Sequence, residues 1–336
     1  MNNILVTGGL GFIGSHTVVE LQNFGFNVII VDDLSNSRIE VLDNITQITG
    51  KKPDFHQLDL KNKSNVKKLF ETTKIDGIIH FAAFKAVGES VEKPLDYYEN
   101  NISSLVYLLQ EIRDRNIDNF IFSSSCTVYG QADKLPITEK APIKAAESPY
   151  GNTKQIGEEI IRESCSAYNF NAIALRYFNP IGAHESIKIG ELPLGIPQNL
   201  VPFVTQTAVG IRKELSIFGD DYPTEDGTAV RDYIHVVDLA KAHIAALERL
   251  LSKKNKTNFE FFNVGTGKGS SVLDVVKSFE KVSSKKLNYK IVGRRAGDVT
   301  AAYADTTLAK KELNWKSEKT LDDALESAWK WQQNQS

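Results

Sequence analysis

Along the first half of the chain, apolar positions fall into two alternating patterns. Short runs rich in β-branched residues predict strands at 4–7, 28–31, 54–57, 77–81, 119–123 and 172–176. Between them, apolar residues recur every three to four positions, the period of a helix with one buried face. Strands separated by helices are the pattern of βαβ units, so the expectation is an α/β fold on a doubly wound parallel sheet. Ligands of such sheets lie beyond the carboxyl ends of the strands.

After Tyr177 the alternation fails, and Pro180, Gly182, Gly190, Pro193, Gly195 and Pro197 punctuate a stretch expected to be mainly loop. The alternation partly resumes at 231–248 and 259–264, segments able to return to the first sheet. The expected division is therefore a first lobe of 1–180 with return segments at about 231–264, and a smaller mixed α/β lobe of 181–230 and 265–336.

Composition narrows this picture. The 336 residues, 41% hydrophobic and 24% charged, suit a globular chain of two lobes rather than a disordered one. Forty Lys+Arg against 42 Asp+Glu leave a formal charge of −2, so nucleic acid is not an expected partner. No segment approaches the ~18 apolar residues of a membrane span, and the first residues lack the basic and cleavable parts of a leader. Neither membrane nor secretion is expected. The two cysteines, Cys126 and Cys165, are too few for a disulfide framework and not spaced for a metal. They are read as buried thiols in a reducing cytoplasm.

Candidate chemistry clusters at predicted strand ends. Gly8, Gly11 and Gly14 follow the first strand and open a helical segment, the arrangement of a Rossmann-type turn that brings backbone N–H groups against a pyrophosphate. The next strand ends in Asp32, where a carboxylate can accept hydrogen bonds from a ribose. The neighbouring Asp33 disfavours a 2′-phosphate, so NAD is expected over NADP, with Arg38 arguing the other way. Asp59, after the third strand, suits an adenine contact. Tyr150 and Lys154 are spaced to share one helix face, and Ser148-Pro149 reads as N-cap and first helical residue. A phenol is a poor base at neutral pH; a lysine ammonium, a helix N-terminus and a nicotinium ring would all lower its pKa. Ser125, closing the fifth strand, offers a hydroxyl beside it.

Taken together, the glycine turn, His80-Phe81-Ala82-Ala83, Ser125 and Tyr150-x-x-x-Lys154 resemble the extended short-chain dehydrogenase/reductase family. Further motifs extend the likeness over essentially the whole chain: Arg176-Tyr177-Phe178-Asn179-Pro180, Gly195-Ile196-Pro197-Gln198-Asn199-Leu200, Val230-Arg231-Asp232-Tyr233-Ile234-His235 and Glu312-Leu313-Asn314-Trp315. Within that family it is similar to the UDP-hexose 4-epimerases. The resemblance implies a retained NAD, proton removal from the sugar 4-hydroxyl by Tyr150 with Ser125 assisting, and a 4-keto sugar that turns over before hydride returns. It also implies cofactor contacts at Gly8, Gly11, Phe12, Ile13, Gly14, Asp32, Asp59, Leu60, Phe81, Ala82, Lys85, Asn100, Tyr150, Lys154 and Tyr177. On the substrate side it implies Asn179 and Asn199 as amide contacts, Leu200 and Phe218 around uracil, Arg231 and Arg295 on the diphosphate, and Asp298 on the uridine ribose. The smaller lobe would then bind the UDP-sugar. A homodimer pairing helices near 95–113 and 150–168 is implied as well. One departure is Ser103-Ser104-Leu105, where many relatives have Asn-Gly-Thr.

Other chemistries fit less well. A 4,6-dehydratase needs an acid pair after its serine or threonine, where this chain has Cys126-Thr127; a uronate epimerase needs a cation for the C6 carboxylate; a non-catalytic NAD sensor would not need Tyr150, Lys154 and the arginines. By the same resemblance, Ala302 borders the sugar C2 substituent. Its small side chain implies room for an N-acetyl group, hence use of UDP-N-acetylglucosamine and UDP-N-acetylgalactosamine beside UDP-glucose and UDP-galactose. A slip of one residue in an extended segment would put Tyr303 there instead.

Overall fold

The computed structural model describes residues 2–295 and 298–335. Its strands are β1 Asn3–Thr7, β2 Asn27–Asp32, β3 Asp54–Gln57, β4 Gly77–His80, β5 Asn119–Ser125, β6 Asn171–Tyr177, β7 Asn179–Ile181, β8 Leu215–Phe218, β9 Val230–Arg231, β10 Tyr233–His235, β11 Phe259–Val264, β12 Ser270–Ser271, β13 Tyr289–Val292 and β14 Ala301–Ala302. Seven of them form one parallel sheet in the order β11-β6-β5-β4-β1-β2-β3. This is the doubly wound α/β sheet expected from the alternation.

Both faces of the sheet's interior are covered, which is why its inner strands read as nearly continuous apolar runs, whereas the edge strand β3, Asp54–Gln57, is mostly polar and partly exposed. Ile4, Val6, Ile30, Ile79 and Ile121 face one core together with Val18 and Leu21 of the helix Phe12–Phe24 and Leu239 and Leu247 of Val236–Leu251. Leu5, Ile29, Val31, Ile78 and Phe120 face the other, against Val66 and Phe70 of Lys63–Thr72, Leu105 and Leu108 of Ser104–Arg115, and Ile161 of Pro149–Tyr168. Burying each such side chain contributes about 1.5–3 kcal/mol.

Strand β11 pairs with β6 at the edge of the same sheet. A separate core of Ile181, Val204, Ile217, Tyr233, Phe279, Leu325 and Trp329 lies among the helices Leu200–Ala208, Val272–Ser283 and Leu321–Asn334 and the parallel pair β8 and β13. Two of these helices start in capping boxes, Ser271 with Asp274 and Thr320 with Asp323, which satisfy N–H groups otherwise left unpaired. The stretch after Tyr177 differs from the expectation of loop in one respect. Asn179–Ile181 is a strand, paired in parallel with β10. A three-residue strand centred on Pro180 carries no alternation, and its pairing partner supplies the regularity.

Candidate active site

At the end of β1 the chain turns at Gly8, whose φ of +68° lies in the left-handed region, and its N–H donates to the Val31 carbonyl at 2.7 Å. A Cβ on Gly8 would stand 2.8 Å from the Ala82 backbone nitrogen, and one on Gly14 would stand 2.1 Å from the Gly8 carbonyl oxygen. Without those carbons the helix Phe12–Phe24 starts directly behind the turn, with Gly11 as an N-cap that makes no side-chain bond. Its first N–H groups are thus left for an anion.

Asp32 is buried at the end of β2, its Oδ2 accepting from Leu10 N at 3.0 Å and its Oδ1 from Leu34 N at 3.0 Å and Ser37 Oγ at 2.7 Å. Asp33 is turned onto its own loop, accepting from Ser35 N and Oγ. A cradle that a Cβ would fill, a helix N-terminus and a fixed carboxylate fit an adenine dinucleotide. Asp59 is half-exposed and accepts from Lys61 N at 2.8 Å, whereas the Leu60 side chain is buried in the core.

Ser148 caps the helix Pro149–Tyr168 by accepting from Gly151 N, placing Tyr150 in the first turn and Lys154 one turn later, both buried. Lys154 Nζ donates to the Ser123 carbonyl at 2.8 Å and lies 5.9 Å from the centre of the Tyr150 ring. Ser125 faces the Tyr150 phenol closely enough to oppose the rise in its pKa, while its own Oγ accepts from Thr127 N at 3.2 Å. Tyr177, opposite Ser125 in the β5–β6 register, bonds the Ser123 hydroxyl. Burial pushes Lys154 down to about 8, opposed by the Glu158 carboxylate. Burial also pushes Tyr150 well above its ordinary value, with Tyr177 adding to the rise and Ser125 opposing it. The expected fall in phenol pKa is therefore not produced by the chain's own groups, because desolvation outweighs them; the nicotinium charge is the contribution still to be added.

Asn101 joins the turn after β4 to this helix: Oδ1 accepts from Phe84 N, while Nδ2 donates to Phe84 O and Thr153 Oγ1. It sits in a π-helical turn, Glu99–Ser103, with Asn100 Nδ2 donating to its Oδ1 at 3.0 Å. His80 is bonded through Nδ1 to Thr7 Oγ1, which also accepts from Ala82 N. Burial pushes its pKa down to about 3, keeping it neutral. The Phe81 ring lies 4.6 Å from that of His243. Phe12 packs edge-on against His16, and Ile13 packs against the first core.

On the other wall, Asp298 gathers two cations: Arg295 at 2.8 and 3.1 Å and Arg231 at 3.5 Å. Arg295 also lies over the exposed Phe218 ring. Paired guanidiniums match the oxygens of a diphosphate. Asn179 is exposed on β7, and Leu200 packs on the smaller core. Ala302 is buried opposite Arg231 in the β14–β9 register, in a cluster with Val128, Phe178 and Ala304 against which Cys126 packs. Tyr303 points the other way, beside Gly269. Ala302, not Tyr303, therefore shares a side with the residue following Ser125. Lys85 and Asn199 are drawn together by Glu191, which accepts from both. Ser37, Asn101, Glu158 and Glu191 were not singled out in the sequence; of these only Asn101, beside Asn100, carried a local signal.

Among the described residues no helix is long and apolar enough to cross a membrane, and no group of His, Cys, Asp and Glu could hold a metal ion. The family model for GDP-mannose 4,6 dehydratase matches residues 5–328. A UDP-glucose 4-epimerase of Drosophila melanogaster is 51% identical over 336 residues, covering 98% of this chain and 96% of that protein. The crystal structure of a UDP-glucose-4-epimerase from Stenotrophomonas maltophila with bound NAD and formylated UDP-arabinopyranose superposes with a TM-score of 0.96 at 45% identity, covering 100% and 99% of the two chains. One from Bifidobacterium longum, in complex with NAD+ and UDP, gives 0.95 at 47% identity over 99% and 98%.

Proposed function

The chain belongs to the UDP-glucose 4-epimerase family of extended short-chain dehydrogenases/reductases, and from that premise we propose which residues carry out its NAD-dependent 4-epimerisation of UDP-sugars. The convergence of Ser125, Tyr150 and Lys154 at the same carboxyl edge of the parallel sheet as the glycine turn carries the assignment. Gly8, Gly11 and Gly14 with the first turn of the helix hold the pyrophosphate; Asp32 holds the adenosine ribose; Asp59 and the Leu60 backbone meet the adenine. Phe81, Ala82, Lys85, Asn100 and Tyr177 surround the nicotinamide end. Bound NAD supplies the acceptor, and then the donor, of one hydride. Tyr150 takes the proton of the 4-hydroxyl through a bond shared with Ser125 and returns it after the keto sugar has presented its other face. Lys154, anchored on the Ser123 carbonyl, keeps a positive charge within reach of the phenol. Asn179, Asn199, Leu200, Phe218, Arg231, Arg295 and Asp298 hold the UDP-sugar.

The matching family model is named for a dehydratase, but elimination of water needs an acid where this chain has Cys126 and Thr127. Epimerisation needs none there. Tyr150→Phe removes one oxygen and keeps the ring, so kcat should fall by ~10²–10⁴ with NAD and UDP binding retained. Unchanged turnover in that variant would take Tyr150 out of its role.

The buried Ala302 favours a wider substrate range that includes UDP-N-acetylglucosamine and UDP-N-acetylgalactosamine. Enlarging a packed site costs about 1–3 kcal/mol. Ala302→Tyr should therefore abolish turnover of the acetylated pair while sparing UDP-glucose; equal loss on both pairs contradicts the assignment. Exposed Leu95 and Tyr168, on the helices Pro94–Tyr98 and Pro149–Tyr168, support a homodimer through this face, and the unpaired Cys126 and Cys165 support a reducing cytoplasm. Sedimentation at the mass of one 37.4 kDa chain would rule out the dimer.

A further inference from the structure

Glu191 lies in none of the motifs above, within the irregular stretch between β7 and the helix Leu200–Ala208. Its main chain is held on two sides. A Cβ on the preceding Gly190 would stand 2.6 Å from the Trp331 ring, so the indole packs directly on backbone, and Trp331 Nε1 donates to the Glu191 carbonyl at 3.0 Å. Gly190 also bridges Ala183. From this fixed point the carboxylate, 12% exposed, presents Oε1 to the Asn199 amide at 2.5 Å and the Lys85 ammonium at 3.3 Å.

Asn199 is the N-cap of the helix Leu200–Ala208 and makes no side-chain cap bond. Asparagine is among the best N-caps, so its amide has been diverted from a role worth ~1 kcal/mol to the carboxylate. A carboxylate only accepts, which fixes the amide orientation: Nδ2 is taken by Glu191 and Oδ1 remains as an acceptor. The same carboxylate ties Lys85, after the Phe81–Phe84 turn, to the residue that opens the first helix beyond β7.

We propose that Glu191 is a positioning residue for the sugar nucleotide: it orients the Asn199 amide so that Oδ1 meets a substrate hydroxyl, and it holds Lys85 against the same loop. The inference rests on the reading of Asn199 as a substrate contact and Lys85 as a cofactor contact. Glu191 touches no reacting atom, so its loss acts on binding before chemistry.

The test is steady-state kinetics with UDP-glucose on Glu191→Ala, Glu191→Gln, Asn199→Ala and the Glu191→Ala/Asn199→Ala double variant, with melting temperature measured alongside. A lost hydrogen bond to a charged group predicts a KM raised about tenfold in Glu191→Ala, with kcat within about threefold. Glu191→Gln keeps an acceptor oxygen in place and should recover most of that loss. The double variant should be no worse than the poorer single, since both act through one contact. If Glu191→Ala does not fold, Glu191→Met, which fills the same space without an acceptor oxygen, replaces it in the cycle. Additive effects on KM, or a fall in melting temperature and kcat with KM unchanged, would overturn the proposal. An active wild type with an indistinguishable Glu191→Ala overturns it alone, whereas an inactive wild type overturns the assigned reaction.

Discussion

Tyr150 sits where burial works against the charge that its proposed role requires, and the residues around it determine how far that opposition is relieved. Lys154 is depressed to about 8 chiefly by its own burial, so its ammonium is present below that pH and lost above it. Accordingly kcat/KM should fall as pH rises through about 8, a limb that reports the free enzyme. Glu158, which opposes the depression, is bound by Ser124 Oγ and by Arg176 through both carboxylate oxygens. Glu158→Gln should therefore move the limb to lower pH, and a flat profile from 7 to 9 in the wild type would contradict the coupling. Tyr150, Lys154, Gly8 and Asp32 were legible in the sequence because each works with neighbours a few positions away or at a strand end. Ser37, Asn101 and Glu191 were not. Asn101 works through Phe84 and Thr153, and Glu191 through Lys85 and Asn199, contacts that only the fold creates.

The turn from β1 into the helix Phe12–Phe24, which we propose holds the NAD pyrophosphate, has a narrow tolerance. Gly14→Ala would drive a carbon to 2.1 Å from the Gly8 carbonyl, so the helix must shift. A loss of about 1–3 kcal/mol is expected, together with release of NAD on gel filtration. Gly88→Ala, in the helix Val87–Glu92 with nothing within 4 Å of the added carbon, is the control. It should be neutral or stabilising by up to about 1 kcal/mol. A Gly14→Ala protein that keeps both its melting temperature and its NAD would mean that the turn is looser than its geometry. The inner sheet strands were legible as elements because burial on both faces leaves continuous apolar runs. The two- and three-residue strands β7, β9, β10, β12 and β14 were not, since their order comes from partners rather than from any period of their own.

In the whole molecule, Asp232 fastens distant segments to one another. It accepts from Thr266 N at 2.8 Å, Thr266 Oγ1 at 2.6 Å, and Gly267 N and Ala304 N at 3.1 Å each. The fold also encloses neutral histidines: burial pushes His16 and His80 down to about 3, and His235 and His243 to about 4. Because the unfolded chain takes up these protons first, stability should fall as pH drops below about 6.5 and go on falling to about 3–4. The slope is up to about 1.4 kcal/mol per pH unit for each histidine. A melting temperature unchanged between pH 6.5 and 4.5 would contradict that burial. The central claim, that one hydride leaves the sugar and returns to the same carbon, is tested most directly by giving the purified protein UDP-glucose deuterated at C4 with no added NAD. UDP-galactose carrying the deuterium at C4 is the predicted product. Loss of the label to water, or an oxidised sugar formed together with free NADH, would contradict it.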